Sequence, residues 1–250
     1  MDERARFAQA VELTMATYDR VARNYAERNE TRPQHWTDRM EQFVDRLAEA
    51  AERHPIPELG LPSDDITLEA YLNFVPVLDA GCGPGRDARA LAEHGLPVLG
   101  IDLSQGMLDE AQERTARRLP TGAIRYALMD LRRLELPDAC CRGVWCSASL
   151  LHVPRAVAPR AVASLVRVAR NDAPFVFFLK ERSADMEPER MEPYPFGEDQ
   201  GQPRFYAYYT TDEARTLIEG AGLMIDDLTT LSHSDGPQVP GWVSILAHKP

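Results

Sequence analysis

Three glycines at alternate positions, Gly81, Gly83 and Gly85, follow an apolar run (Val75, Val77, Leu78) that ends in the acid Asp79. Residues without side chains at that spacing permit a turn tight enough for a ligand to lie against bare backbone. Some 20 residues on, a second apolar run, Val98-Leu99-Gly100-Ile101, ends in Asp102. That is the spacing at which a strand-end carboxylate accepts hydrogen bonds from both hydroxyls of a ribose. The pair of acids around a glycine turn therefore predicts a nucleoside-bearing ligand. A third cluster, Arg204-Phe-Tyr206-Ala-Tyr-Tyr209, combines aromatics with one cation. It suits either a planar or acidic small molecule or the edge of a helix–sheet interface.

Alternating strands and helices must hold these residues. From residue 74 onward, apolar runs at 75–80, 97–102, 123–127, 143–148 and 174–180 read as strands, with helices at 86–94, 104–118 and 155–170 between them. That alternation is the pattern of a parallel sheet covered on both faces. Ser104 is placed to cap the second of these helices and Gly95 to end the first. A helix at 211–220 and strands at 222–230 and 241–248 close the chain, the last two as an antiparallel pair. Upstream, Phe7, Val11, Met15, Tyr18 and Ala22 recur at helical steps within 4–30. Met40, Phe43, Val44 and Leu47 form the apolar face of a second helix from about 36 to 53. Prolines then forbid regular structure until a short helix through Tyr71, which Ser63 or Asp64 could cap. Residues 1–73 read as a helical cap on a core of 74–250, with an insertion at about 181–210.

The glycine turn, in the run Val77-Leu-Asp-Ala-Gly-Cys-Gly-Pro-Gly-Arg-Asp87, resembles the first motif of class I S-adenosylmethionine-dependent methyltransferases. Gly100-Ile-Asp-Leu-Ser104, Tyr126-Ala-Leu-Met-Asp-Leu131 and Gly143-Val-Trp-Cys-Ser-Ala-Ser-Leu-Leu-His-Val-Pro154 resemble the segments that follow, in the same order. So do Thr210–Leu223 near the end and Tyr18–Tyr25 near the start, the latter resembling the cap helix of the small-molecule branch. The resemblance implies a Rossmann-like α/β fold, a seven-stranded mixed sheet, mostly parallel with an antiparallel C-terminal hairpin. It implies S-adenosylmethionine as cofactor, passing over Gly81, Cys82 and Gly83, with Asp79 holding the turn or meeting the ligand's amino group. Asp102 would clasp the ribose, Leu103 and Met107 line the adenine slot, and Asp130 and Leu131 meet the adenine edge. Cys146 and Ser147 would face the methionyl end, with Tyr25 closing over its carboxylate. His152 stands where the motif puts the pocket mouth, as a proton acceptor or as a buttress of its loop. Tyr18, His152, Lys180, Arg204 and Tyr206 fall on the acceptor side. Relatives commonly carry Phe-Asp where this chain has Cys141-Arg142, which implies altered packing at that strand's start.

With 250 residues, 44% of them hydrophobic, the chain suffices for one α/β domain with an appendage. Its formal net charge of -11 disfavours nucleic-acid partners, which need a basic face. The charged start lacks the apolar core of a signal peptide, and no run approaches membrane-spanning length, so a cytoplasmic protein without a membrane partner is expected. Of four cysteines, Cys140 and Cys141 are adjacent with no second pair at metal spacing, so reduced thiols and no metal are expected. The function expected is methyl transfer to a small-molecule acceptor by in-line displacement. A nicotinamide-dependent oxidoreductase would also use a glycine turn and a ribose acid, but its fingerprint puts a third glycine where Arg86 stands. A module that binds S-adenosylmethionine without turnover stays open, as does oligomeric state.

Overall fold

A computed structural model describes residues 3–56, 66–119, 122–231 and 241–250. Helices α1 (Glu3–Arg28), α2 (Gln34–Arg53) and α3 (Leu68–Leu72) lead into β1 (Val77–Ala80), α4 (Arg86–Glu93), β2 (Val98–Asp102), α5 (Gln105–Ala116) and β3 (Ile124–Leu128). Then come β4 (Gly143–Ser147), α6 (Ala158–Val168), β5 (Pro174–Glu181), β6 (Glu189–Pro193), β7 (Pro203–Tyr209), α7 (Thr211–Glu219), β8 (Met224–Leu231) and β9 (Trp242–His248).

Strands β3, β2, β1, β4 and β5 lie side by side in that order, every pair parallel. Strand β9 runs antiparallel along β5 from Pro174 to Lys180, and β8 pairs antiparallel with β9. This is the expected seven-stranded sheet with its antiparallel close. Strands β1 and β4 are buried on both faces, which is why they read as unbroken apolar runs rather than alternating ones. Successive residues nevertheless serve opposite faces. Leu78, Ile101, Val144, Cys146, Phe175 and Phe177 meet α6 through Ala161, Val162 and Leu165. Val77, Val98, Trp145, Val176 and Phe178 meet α2 and α4 through Met40, Phe43, Leu47, Ala88 and Leu91.

The span read as a cap thus divides. Helix α2 is a covering layer of the sheet itself, with Phe43 fully buried. Helix α3 is anchored by Tyr71, whose buried hydroxyl reaches the carbonyls of Val98 (2.8 Å) and Ala123 (3.1 Å). Thr67 caps it by accepting from Ala70 N, whereas Ser63 and Asp64 lie outside the described residues. Of the described helices in that span, α1 alone crosses the strand ends, lying against α5 on one side and β7 on the other. Ser104 caps α5 as expected, and Thr210 with Glu213 forms a capping box on α7.

Two strands go beyond the expected seven. Residues 181–210 contain the antiparallel hairpin β6–β7, joined to the sheet where β7 runs parallel to β5 at Lys180↔Tyr208 and Glu181↔Tyr209. At the other end of the sheet, Arg142 spends its guanidinium on the carbonyls of Phe74 and Val75, securing the approach to β1. All four cysteines are free thiols, and among the described residues no helix is long and apolar enough to cross a membrane. Removing the Tyr71 hydroxyl (Tyr71→Phe) is expected to cost about 1 kcal/mol, read as a lowered denaturant midpoint with unchanged slope.

Candidate active site

The turn after β1 is built by the end of β2. Gly81 N and Cys82 N both donate to Ile101 O at 2.8 Å, and Gly83 N donates to Asp102 Oδ2 at 2.8 Å. Asp102 Oδ1 accepts from Ser104 N at 2.9 Å, so one carboxylate fixes both the glycine turn and the start of α5. Gly81 has a φ of +77°, and a Cβ there would overlap the side chain of Ser149, whose hydroxyl donates to Ala80 O at 2.5 Å. Gly83, at a φ of +51°, has open space where its Cβ would stand. One glycine is required by a neighbour; the other leaves room for something that is not protein.

That room belongs to a crevice of about 1160 Å³, its mouth included, across the carboxyl ends of β1, β2 and β4, where open α/β sheets bind ligands. Thirteen of the residues singled out from sequence line it: Tyr18, Tyr25, Asp79, Gly81, Cys82, Gly83, Asp102, Leu103, Met107, Asp130, Leu131, Ser147 and His152. Four do not. Cys146 is fully buried with its thiol toward the Ser149 hydroxyl (3.2 Å), and the crevice is lined instead by Ser147, Ala148 and Ser149. Lys180 shares its face of β5 with Val176 and Phe178, and its ammonium lies 4.1 Å from the Trp242 ring centre. Arg204 and Tyr206 sit one layer behind, against Tyr18 and His152.

Electrostatics divide the lining. Asp79 is buried with Oδ2 lacking any hydrogen-bond partner, and burial, with Asp87 adding to it, pushes its carboxyl well above the usual range. Burial likewise raises Asp102, against the backbone N–H groups that favour its charge. Asp87 behaves oppositely: burial is overcome by Arg86, which forks onto both its oxygens (2.8 and 3.2 Å), and by the Trp145 indole N–H at 3.0 Å. Asp130 is also held low despite burial, because Arg132 binds both carboxylate oxygens at 2.6–2.9 Å. Its carboxylate is thus already partnered.

Sequence reasoning missed Asp19, Arg86, Asp87, Arg132 and Ser149. Asp19, on α1, accepts from Ser104 Oγ (2.6 Å) and Gly106 N (3.0 Å) and so ties that helix to the start of α5. Only the Asp130-Leu-Arg132 spacing carried a local signal, an acid and a base two residues apart.

His152 is fixed at both ring nitrogens. Nδ1 lies 2.7 Å from Phe205 O and Nε2 lies 2.8 Å from Tyr18 Oη. Burial pushes the imidazole down to about 4, the Phe205 carbonyl opposing and Arg204 adding to the fall. A carbonyl only accepts, so the neutral ring carries its proton on Nδ1, and Nε2 accepts from the Tyr18 hydroxyl.

Comparison with known proteins agrees with this geometry. Residues 77–172 match the family described as methyltransferase domain. That match spans somewhat less than half of the chain and identifies those residues as a methyltransferase domain. It is 39% identical over 101 residues to a malonyl-[acyl-carrier protein] O-methyltransferase of Serratia marcescens, covering 40% of this chain and 36% of that one. It is 24% identical over 185 residues to the O-methyltransferase cnsE of Penicillium expansum, covering 70% and 63%. The chain thus spans less than two thirds of the length of these curated relatives. Among solved structures, a S-adenosylmethionine-dependent methyltransferase of Methanosarcina mazei shares the fold at TM-score 0.59 and 22% identity, over 74% of this chain and 98% of that one. A 1,6-didemethyltoxoflavin-N1-methyltransferase of Burkholderia thailandensis does so at TM-score 0.57 and 19% identity, over 88% and 91%.

The crevice fits S-adenosylmethionine, the cofactor that the resemblance implies. The unpartnered Asp79 oxygen suits an ammonium, the space at Gly83 suits a chain passing over backbone, and Leu103, Met107, Met129 and Leu131 offer an apolar slot. Acid should weaken the ligand-free fold through His152. Its folded value is depressed, so the unfolded chain takes up the proton first, and stability present above about 6.5 is lost as pH falls toward about 4. Thermal scans between those limits should show that loss in the parent and less of it in His152→Gln.

Proposed function

We propose that this protein transfers a methyl group from S-adenosylmethionine to a small-molecule acceptor. The observation that carries the reading is the β1 turn, where backbone N–H groups, two strand-end acids and an empty glycine face meet in one crevice. Bound there, S-adenosylmethionine supplies a methyl group activated by a positive sulfur. The protein's part is positioning and exclusion of water, worth roughly 7 to 11 kcal/mol in the best model reactions. Asp102 would accept from the ribose while keeping the turn in shape, and Asp79 would hold the amino group. Asp130, partnered by Arg132, would reach an adenine amino group only with its remaining lone pairs. Tyr18 and Tyr25, with ring centres 5.5 Å apart on α1, would cover the methionyl end. Lys180 we assign to packing on Trp242, and Arg204 and Tyr206 to support of the acceptor wall.

Several features favour a small acceptor over nucleic acid. The chain is strongly acidic, and the arginines lining the crevice are paired with Asp87 and Asp130. Free thiols throughout accord with a reducing cytoplasm.

Calorimetry with S-adenosylhomocysteine tests the assignment. Asp102→Ala should weaken binding by roughly 10- to 100-fold, about 1.5 to 3 kcal/mol, with the fold retained by circular dichroism; unchanged affinity would overturn the reading. An ammonium beside Asp79 favours that residue's charged form. Affinity in the parent should therefore climb as the solution is made more alkaline, and Asp79→Asn should flatten the climb.

A further inference from the structure

Both nitrogens of His152 are taken by the protein, Nδ1 by the Phe205 carbonyl and Nε2 by Tyr18 Oη. The imidazole therefore has no lone pair left for an acceptor. Tyr18 lines the crevice: its proton points to Nε2, and its oxygen, with Arg204 Nη1 at 3.5 Å and Tyr206 beside it, is the nearest acceptor atom in line with that proton path. We propose that Tyr18 takes the acceptor's proton while passing its own to His152, and that the acceptor nucleophile is accordingly a hydroxyl on an apolar frame.

The surroundings support this class. Apart from Tyr18 and His152, the wall contributed by α1 and the turn after β4 includes Val11, Met15, Ala148 and Val153. Two of its other hydroxyls are committed. Thr14 Oγ1 donates to Ala10 O and accepts from Phe205 N, both at 2.8 Å, and Ser149 Oγ donates to Ala80 O. A carboxylate acceptor would meet no unpaired cation on this wall, since the lining arginines are bound to Asp87 and Asp130.

Behind Tyr18 stands Arg204, 7% exposed, with rings of Tyr18, Tyr194 and Tyr206 around its guanidinium at 5.1–5.9 Å. Among the described residues it has no carboxylate partner, and its Nε has no hydrogen-bond partner. Its Nη1 lies 3.5 Å from Tyr18 Oη, where a positive charge stabilises negative charge developing on that oxygen.

The step balances. The acceptor O–H bond breaks as the new O–CH₃ bond forms, and the S–CH₃ pair returns to sulfur. The acceptor proton goes to Tyr18 Oη, and the Tyr18 proton goes to Nε2. One positive charge leaves the sulfur and one arrives on the imidazole, so the buried site holds the same net charge throughout. The groups facing His152 are Tyr18 from α1, Arg204 and Tyr206 from β7, and Glu192 from β6. Tyr25 completes the set around Tyr18. A ring depressed to about 4 by burial takes a proton only in concert with loss of the sulfonium charge, not beforehand.

This inference rests on the methyltransferase reading, and its test separates the two. With ¹⁵N-labelled histidine, nuclear magnetic resonance of the ligand-free protein should show His152 neutral and protonated at Nδ1 down to at least pH 5. The opposite tautomer, or titration at the ordinary value, overturns the relay. Transfer is then measured to 1-naphthol, 1-naphthylamine and 1-naphthoate, which place three nucleophiles on one apolar frame. Preference for 1-naphthol is expected; preference for either other probe, or transfer to none, overturns the acceptor class. Tyr18→Phe and His152→Gln should each lower kcat on 1-naphthol about 100-fold with KM little changed, and the double variant should be no worse than either. Additive losses, or a Tyr18→Phe enzyme with parental kcat, reject the relay. S-adenosylhomocysteine affinity should fall far less than kcat in both variants, since Tyr18→Phe keeps the ring that covers the methionyl end, whereas absence of binding in the parent would remove the functional reading itself.

Discussion

A single carboxylate, that of Asp102, sets the shape on which the rest of the site depends. It accepts one backbone N–H from the glycine turn and one from the start of α5. Both segments leave the sheet at adjacent strand ends, and without a shared acceptor each N–H would be buried unpaired or would draw in water. The requirement propagates outward. Because the turn is held against Ile101, Gly81 is pressed to Ser149, and because Ser149 is fixed on Ala80, the turn after β4 is fixed too. Ala148 at its apex takes a φ of +55°, a costly conformation for a residue with a side chain.

Over this rigid floor lies a wall made by one helix. Helix α1 is tied to α5 through Asp19 and to β7 through Thr14 and Thr17, whose hydroxyl donates to Pro203 O at 2.7 Å. Just past its far end, Glu30 meets Arg89 on α4, Arg114 on α5 and Arg118 beyond α5. These polar ties place Tyr18 and Tyr25 over the crevice, where an apolar helix face alone would leave their orientation less defined.

Much of this was legible in the chain because the signals are local. Buried parallel strands announce themselves as apolar runs, and the alternate glycines and strand-end acids mark the turn whatever packs around it. Ser104 was readable as a cap from its position alone. What escaped was tertiary. Asp19 looks like any exposed helical acid until α5 is brought beside it, and Asp87 acquires its role only when Trp145 and Arg86 converge. Lys180 and Arg204 illustrate the converse. Chain order put them near the acceptor, but strand periodicity turned Lys180 toward Trp242, and β7 set Arg204 behind a tyrosine. The hairpin at 189–209 was anticipated only as an insertion, since its pairing with β5 rests on two residues.

That narrow joint has an evolutionary consequence. The hairpin carries Phe205, whose carbonyl orients the histidine, yet among the described residues its strand pairing with the sheet is confined to Lys180 and Glu181. Changes of length or composition there would act on the wall around Tyr18 and His152 while leaving the β1 turn and Asp102 untouched. A fold so divided can vary one loop at a time, with selection on the glycine turn and on the hairpin proceeding almost independently.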